Sequence, residues 1–408
     1  MNRGFYCILT AQFFSALADN ALLFAAIALL KNLNVSAWQV PVLQQGFVFA
    51  FIALAPFVGP FADALPKGTV MFISNLVKII GCMAMLLGLH PPLAYGLVGI
   101  GAAMYSPAKY GILSEYFPPV RLVWANGWME GLTVAAIILG ALVGGILIGE
   151  GTETHIVDRL QRLGFNSIID TTPEFAISVV LVFYMVAALA NLFIPELPID
   201  HKLPKRTPGF VIRDFWQCFK QLWKDPLGQV SLAVTSLFWG AGATLRLIIL
   251  AWASTALGLG LERATQLTAV VAIGIALGAA MAARTVPLDH SVRVLRVGVA
   301  MGLTVAAMVF VKDWRIAIPL LLLMGAMGGY FVVPMNALLQ HRGHLLMGAG
   351  HSIAVQNFNE NLSILVMLGA YALMIQADFS VNATVFVFGT FVAGAMAWLT
   401  KKHGEDQV

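Results

Sequence analysis

The chain has 408 residues, of which 59% are hydrophobic and only 11% charged, with a formal net charge of +4. A soluble domain carries about 25% charged residues, so this composition belongs to a polytopic membrane protein. The basic residues are dispersed and the aromatics lie in apolar runs, which excludes a nucleic-acid surface, and Cys7, Cys82 and Cys218 lack the spacing of a metal site or a disulfide framework.

Twelve apolar segments follow one another, near residues 5–30, 40–62, 70–89, 93–115, 122–149, 174–194, 230–257, 264–285, 290–311, 314–339, 348–377 and 380–400. A helix of about 20 residues crosses a bilayer core. The first segment has a second reading as a secretory signal, with Met1-Asn2-Arg3 ahead of it and Ala16-Leu17-Ala18 as a cleavage site. Its apolar run, however, continues past Asp19 to Leu30, and a signal's apolar core is about 7–15 residues long.

The longest polar stretch runs from Pro195 to Gln229 and holds five prolines and six basic residues. It divides the chain into a six-helix half over 1–194, a cytoplasmic linker over 195–229 and a second six-helix half over 230–408. With the N-terminus inside, the cytoplasmic loops hold fifteen basic residues and the outer loops six. This bias puts both termini in the cytoplasm. In the one long outer loop, Ile156, Leu160, Leu163 and Ile168 roughly fit one helical face beside Asp158, Arg159 and Arg162, which predicts a short helix lying on the outer surface, with an irregular surface loop as the alternative.

The halves repeat. Pro107 and Lys109 in the fourth segment match Pro334 and Asn336 in the tenth. Asn126 and Glu130 in the fifth match Gln356, Asn357 and Glu360 in the eleventh. Phe14 and Asp19 in the first segment match Phe238 and Arg246 in the seventh. Two parallel halves are how major facilitator transporters are built, so the expected architecture is an all-α membrane protein with that fold.

Six charges lie inside the apolar segments: Asp19, Lys78, Lys109, Glu130, Arg246 and Glu360. An acid near a bilayer centre costs roughly 2.5–3.5 kcal/mol on insertion scales, so each needs a partner or a wet cavity. Asp19, Arg246 and Glu360 lie closest to the middle of their segments, where substrate sites of such transporters are found. Lys78 and Glu130 lie only about 12 Å from a helix end, by helix rise, and weigh more toward structural ion pairs. Asn20 adjoins Asp19. Asn126 with Glu130, and Gln356 with Glu360, are spaced i, i+4 and share a face. A cavity with acids, bases and amides suits a ligand of both charge signs, and a proton relay is the competing reading of the acids.

Gly59-Pro60-Phe61-Ala62-Asp63, followed by Lys67, partly matches the cytoplasmic Gly-x-x-x-Asp loop motif of major facilitators, without its usual arginines. Asp63, Lys67, Lys78 and Asn126 are therefore candidates for conformational gating. Gly140-x-x-x-Gly144 and Gly274-x-x-x-Gly278 predict close helix contacts within each half.

Longer stretches carry a more specific resemblance. They are Ser15-Ala16-Leu17-Ala18-Asp19-Asn20, Tyr105-Ser106-Pro107-Ala108-Lys109-Tyr110-Gly111, Ala125-Asn126-Gly127-Trp128-Met129-Glu130, Ser236-Leu237-Phe238-Trp239-Gly240, Val332-Val333-Pro334-Met335-Asn336 and Gln356-Asn357-Phe358-Asn359-Glu360-Asn361. Together they resemble the bacterial lysophospholipid transporters, from the first helix to the eleventh. The resemblance implies a flippase of the bacterial inner membrane that carries lysophosphatidylethanolamine and related lysolipids from the outer to the inner leaflet. There an acyltransferase–acyl carrier protein synthetase re-acylates them. No cofactor is implied, and no His-x4-Asp motif of an acyltransferase is present in the chain. On this reading one chain works alone. Asp19, Asn20, Lys109, Glu130, Arg246, Gln356, Asn357 and Glu360 face the lysolipid, with Arg246 or Lys109 drawing the phosphate and Asp19 or Glu360 the ammonium group. A proton-coupled exporter and a lipid-delivering scaffold are the alternatives.

Overall fold

The structure, a computed structural model, describes residues 3–33, 39–149, 152, 171–197 and 207–403. The outer-loop helix expected over 156–168 lies outside the described residues.

The first segment becomes α1 (Arg3–Asn32) and the second a bent pair, α2 (Gln39–Ala53) and α3 (Ala55–Ala64). The next four become α4 (Lys67–Leu86), α5 (Pro91–Tyr116), α6 (Leu122–Leu147) and α7 (Thr172–Asn191). The polar stretch then carries an amphipathic helix, α8 (Pro208–Lys224), so it is not wholly irregular. The last six segments become α9 (Pro226–Leu257), α10 (Leu261–Thr285), α11 (Leu295–Ala307, flanked by 3-10 turns), α12 (Trp314–Met347), α13 (Ala349–Gln376) and α14 (Val381–His403).

Ten of these spans are long and apolar enough to cross a membrane, and the α2–α3 pair, bent by 65°, makes eleven. The break has a local cause: Pro56 in the first turn of α3 has no N–H to give to the preceding turn. The remaining segment, α5, is 26 residues long but less apolar, because its prolines, glycines and tyrosines dilute the aliphatic residues and Lys109 and Glu115 lie in its second half.

Two compact units result. Residues 1–112 with 135–211 form unit 1, and residues 113–134 with 212–408 form unit 2. In unit 1, α1 packs on α7, and α7 on α4. Ala18, Ala21, Leu22, Ala25 and Ala26 of α1 meet Ile177, Val180 and Tyr184 of α7 in a buried core. The small residues recur at i, i+3 and i+4, so one flank of α1 is nearly flat and lets its neighbours approach closely. Gly140 of α6 meets Leu17 O at 2.7 Å and Asn20 Cβ at 2.8 Å, measured from where a Cβ would sit.

In unit 2 the closest seam is between α10 and α12. A Cβ on Gly274 or Gly278 would run into the backbone of Leu322 or Ala326, and one on Gly325 or Gly329 into that of Val271 or Ile275. Backbone cannot give way as a side chain can. Gly278→Val is expected to destabilise the protein by at least the roughly 1–3 kcal/mol of core overpacking. A lowered thermal midpoint in detergent would register it.

Asp225 caps the start of α9. It accepts from the Gly228 N–H at 2.8 Å and receives the Arg342 guanidinium in a two-pronged pair, with Nε at 3.1 Å. Burial pushes this carboxyl up, but the Arg342 hydrogen bond, the Gly228 amide and the guanidinium charge together hold it below the usual carboxylate range. A carboxyl lowered on folding stabilises above its unfolded pKa of about 3.9, and that contribution is lost as pH falls through the folded value. The melting-point advantage of the native chain over Asp225→Asn is therefore expected at pH 7 and should shrink on titration below about pH 4.

Candidate functional site

Each unit holds a buried polar cluster among the described residues. In unit 1, Lys78 supports Asp19 from behind. Lys78 Nζ donates to both Asp19 oxygens, at 2.8 and 2.9 Å, and to Ser15 Oγ at 3.0 Å. Ser15 Oγ in turn donates to Asn75 Oδ1 at 3.0 Å. The Tyr184 hydroxyl donates to Asp19 Oδ1 at 2.7 Å. The Lys78 ammonium also lies 4.9 Å from the Tyr105 ring centre and 5.4 Å from that of Tyr184. Helix periodicity brings these groups together: Ser15 and Asp19 are one turn apart on α1, and Asn75 and Lys78 one turn apart on α4.

The pair is unequal in access. The Lys78 side chain is 1% exposed and that of Asp19 is 25% exposed. The cation is sealed in the wall, and the carboxylate keeps an open side. Asn20 does not extend this surface directly, because its Nδ2 donates back to Ala16 O at 2.8 Å along α1. Lys109, on α5, is buried, with its Nζ 4.2 Å from the centre of the Tyr110 ring.

Asp63 and Lys67 form a buried ion pair of 2.7 Å between the end of α3 and the start of α4, and Lys67 Nζ also donates to Ala62 O at 2.8 Å. These bonds staple the Leu65–Pro66 break between the two helices.

The cluster in unit 2 is built from three pairs spaced i, i+4. Asn126 and Glu130 stand on α6, Asn336 and Gln340 on α12, and Gln356 and Glu360 on α13. Asn126 and Gln340 exchange two amide hydrogen bonds of 2.8 Å each. Asn336 Nδ2 donates to Glu130 Oε1 at 3.2 Å. Gln356 Nε2 donates to Asn336 Oδ1 at 2.9 Å and to Glu360 Oε1 at 2.7 Å. Two carboxylates are thus joined by two amides, and all six residues are buried. Gln356 Oε1 is buried as well and accepts no hydrogen bond among the described residues. Asn357 is buried beside this network. Arg246, on α9, is exposed and has no ion-pair or hydrogen-bond partner among the described residues.

Chemically, unit 1 offers an accessible carboxylate whose charge is already balanced. Unit 2 offers amides, two acids and an uncommitted guanidinium. Such groups have the chemistry to hold a ligand of both charge signs.

A sequence profile described as the Major Facilitator Superfamily matches residues 8–368. The chain belongs to that superfamily. Within it, the chain is 44% identical over 378 residues to "Lysophospholipid transporter LplT" of Serratia proteamaculans, covering 92% of this chain and 89% of that protein. It is also 44% identical over 385 residues to the protein of the same name from Yersinia enterocolitica, covering 94% of this chain and 90% of that one. Such identity over such coverage makes the chain a member of the same family.

Solved structures agree at the level of the major facilitator fold. The transporter FucP in its outward conformation superposes with a TM-score of 0.74 at 12% identity, covering 98% of each chain. A bacterial homologue of ferroportin in the outward-facing state gives a TM-score of 0.72 at 16% identity, covering 99% of this chain and 100% of that one. The major facilitator architecture expected from the repeats, and the family resemblance of the quoted stretches, are both borne out.

In this major facilitator chain, sequence reasoning gave no role in the site to Ser15, Asn75 and Tyr184 around Asp19, or to Gln340 and Asn336 in the second cluster, the last noted only as the repeat match of Lys109. The signal for four of them was the same helical spacing that had marked Asn126 with Glu130. Ser15 precedes Asp19 by four residues, Asn75 precedes Lys78 by three, and Asn336 precedes Gln340 by four. Tyr184 had no such signal, since its hydroxyl reaches Asp19 across 165 residues of sequence.

Proposed function

We propose that this protein is a lysophospholipid flippase of the bacterial inner membrane and not an enzyme. It takes lysophosphatidylethanolamine and related lysolipids laterally from the outer leaflet and delivers them to the inner one, where an acyltransferase–acyl carrier protein synthetase re-acylates them. The observation that carries this reading is the 44% identity, over nine-tenths of the chain, to proteins named lysophospholipid transporters. The geometry supports the following roles. The open side of the Asp19 carboxylate, or Glu360 beside Gln356 Oε1, receives the ammonium group of the headgroup. Arg246 draws the phosphate, with Lys109 as the second cation. Both termini are cytoplasmic. The halves over 1–194 and 230–408 rock about the 195–229 linker. Asp63 with Lys67, and Asn126 with Gln340, hold one end of the pathway in a single conformational state. One chain carries both clusters, so no second copy is needed.

The test is transfer of labelled lysophosphatidylethanolamine across vesicles holding the purified protein, with and without an imposed proton gradient. Transfer is expected without the gradient, driven by the lysolipid's own imbalance between leaflets. Transfer only with a gradient would turn Asp19, Glu130 or Glu360 into a proton site. The absence of transfer would overturn the flippase reading.

A further inference from the structure

The helix α8 divides into three stripes. At 100° per residue, Phe215, Cys218 and Leu222 fall within about 60° of one another, and all three are buried. Ile212, Trp216, Phe219 and Trp223 form the next strip, also about 60° wide. Trp216 is 44% exposed there, although neither Trp nor Phe belongs in water. Arg213, Lys220 and Lys224 form the third strip, about 40° wide. All three are exposed, with no ion-pair partner among the described residues. The helix's one acid, Asp214, lies away from that strip, 3.3 Å from His351 Nε2.

The position of α8 explains the pattern. Gln221 Nε2 donates to Leu346 O at the end of α12, at 3.4 Å, and His351 is in the first turn of α13. Asp225, next after α8, begins α9. Phe358 of α13 stacks edge-on against Phe215, Trp216 and Phe219, with ring centres 5.5 to 6.2 Å apart. The helix therefore lies against the ends of α9, α12 and α13. The belt continues on α14. Lys402 Nζ donates to Gln229 Oε1 at 2.7 Å, and Gln229 Nε2 donates to Trp223 O at 3.1 Å. Lys402 also sits 5.1 Å from the ring centre of Trp398, itself 60% exposed, and Lys401 is exposed beside it.

We propose that α8, continued by Trp398, Lys401 and Lys402, is an interfacial binding surface for anionic phospholipid. Trp216 and its neighbours enter the boundary between headgroups and acyl chains, as the apolar face of a surface-bound amphipathic helix does. Arg213, Lys220, Lys224, Lys401 and Lys402 meet lipid phosphates, and a cluster of about four to eight basic residues is what such recognition requires. The aromatic contact with Phe358 places this surface two residues from Glu360, so leaflet charge bears on the helix that carries part of the second cluster.

The experiment uses the full chain in nanodiscs of phosphatidylcholine, with either brominated phosphatidylglycerol or brominated phosphatidylcholine added at equal mole fraction. Tryptophan quenching is read for the native protein, for Trp216→Phe, and for the triple variant Arg213→Gln/Lys220→Gln/Lys224→Gln. The part of the quenching lost in Trp216→Phe is expected to be at least about twofold greater with the anionic lipid, and the triple variant should bring that ratio back toward one. Identical quenching of native protein and Trp216→Phe would show that the stripe does not touch lipid. Equal quenching by the two lipids would show that charge is not recognised. Either result overturns the proposal. The readout involves no transfer step, so the proposed transport activity and this surface stand or fall separately.

Discussion

Asp19→Asn is expected to abolish lysolipid transfer and to destabilise the protein at the same time. The substitution keeps the shape of the side chain but removes the charge that balances Lys78, whose ammonium is sealed in the wall at 1% exposure. Breaking one side of a buried pair costs about 3–5 kcal/mol. A loss of activity in the single variant therefore has two causes that a transport assay alone does not separate. The double variant Asp19→Asn/Lys78→Met separates them, because it removes the orphaned cation along with the anion. Thermal melting of the double variant is expected to recover most of the lost stability, since well-packed apolar replacements of buried pairs are often neutral. Transfer is expected to stay absent. Transfer restored in the double variant would mean that Asp19 serves only to neutralise Lys78, and the headgroup role would be lost.

Arg246→Gln is the opposite case. The guanidinium has no partner among the described residues, so its loss should leave the melting temperature within the roughly 0.5 kcal/mol scatter of surface changes. A charge-assisted hydrogen bond to phosphate contributes about 1.5–3 kcal/mol, so transfer should fall by about ten- to a hundredfold. Arg246→Lys keeps the charge but not the two-pronged geometry, and should retain an intermediate rate. Unchanged transfer by Arg246→Gln would move the phosphate to Lys109.

Much of the fold was legible because hydropathy reports helices one at a time. Each of the twelve apolar segments became a helix or a bent pair. The partners of the buried charges were less legible. Spacing put Asn126 with Glu130 and Gln356 with Glu360 on shared faces, yet it was silent on which faces meet. Lys78 read as a group near a helix end, and only packing of α4 against its neighbours made it the partner of Asp19 across 59 residues. The amides Asn336 and Gln340 were given no place in the site for a related reason. Neutral side chains carry no insertion penalty large enough to stand out in an apolar run, although here they join the two acids of the second cluster. The helix α8 was hidden by composition, since a proline- and lysine-rich stretch reads as a linker until its three stripes are separated.

Because Gly274 and Gly278 meet the backbone of Leu322 and Ala326, the seam between α10 and α12 is closed at these points by main chain, which has no second rotamer to adopt. Sliding one helix along the other would first require lifting them apart. Shear motions in proteins run through packed side chains that can rearrange. This pair behaves instead as one beam, and the bending that a change of access demands falls on other joints, such as the proline break between α2 and α3.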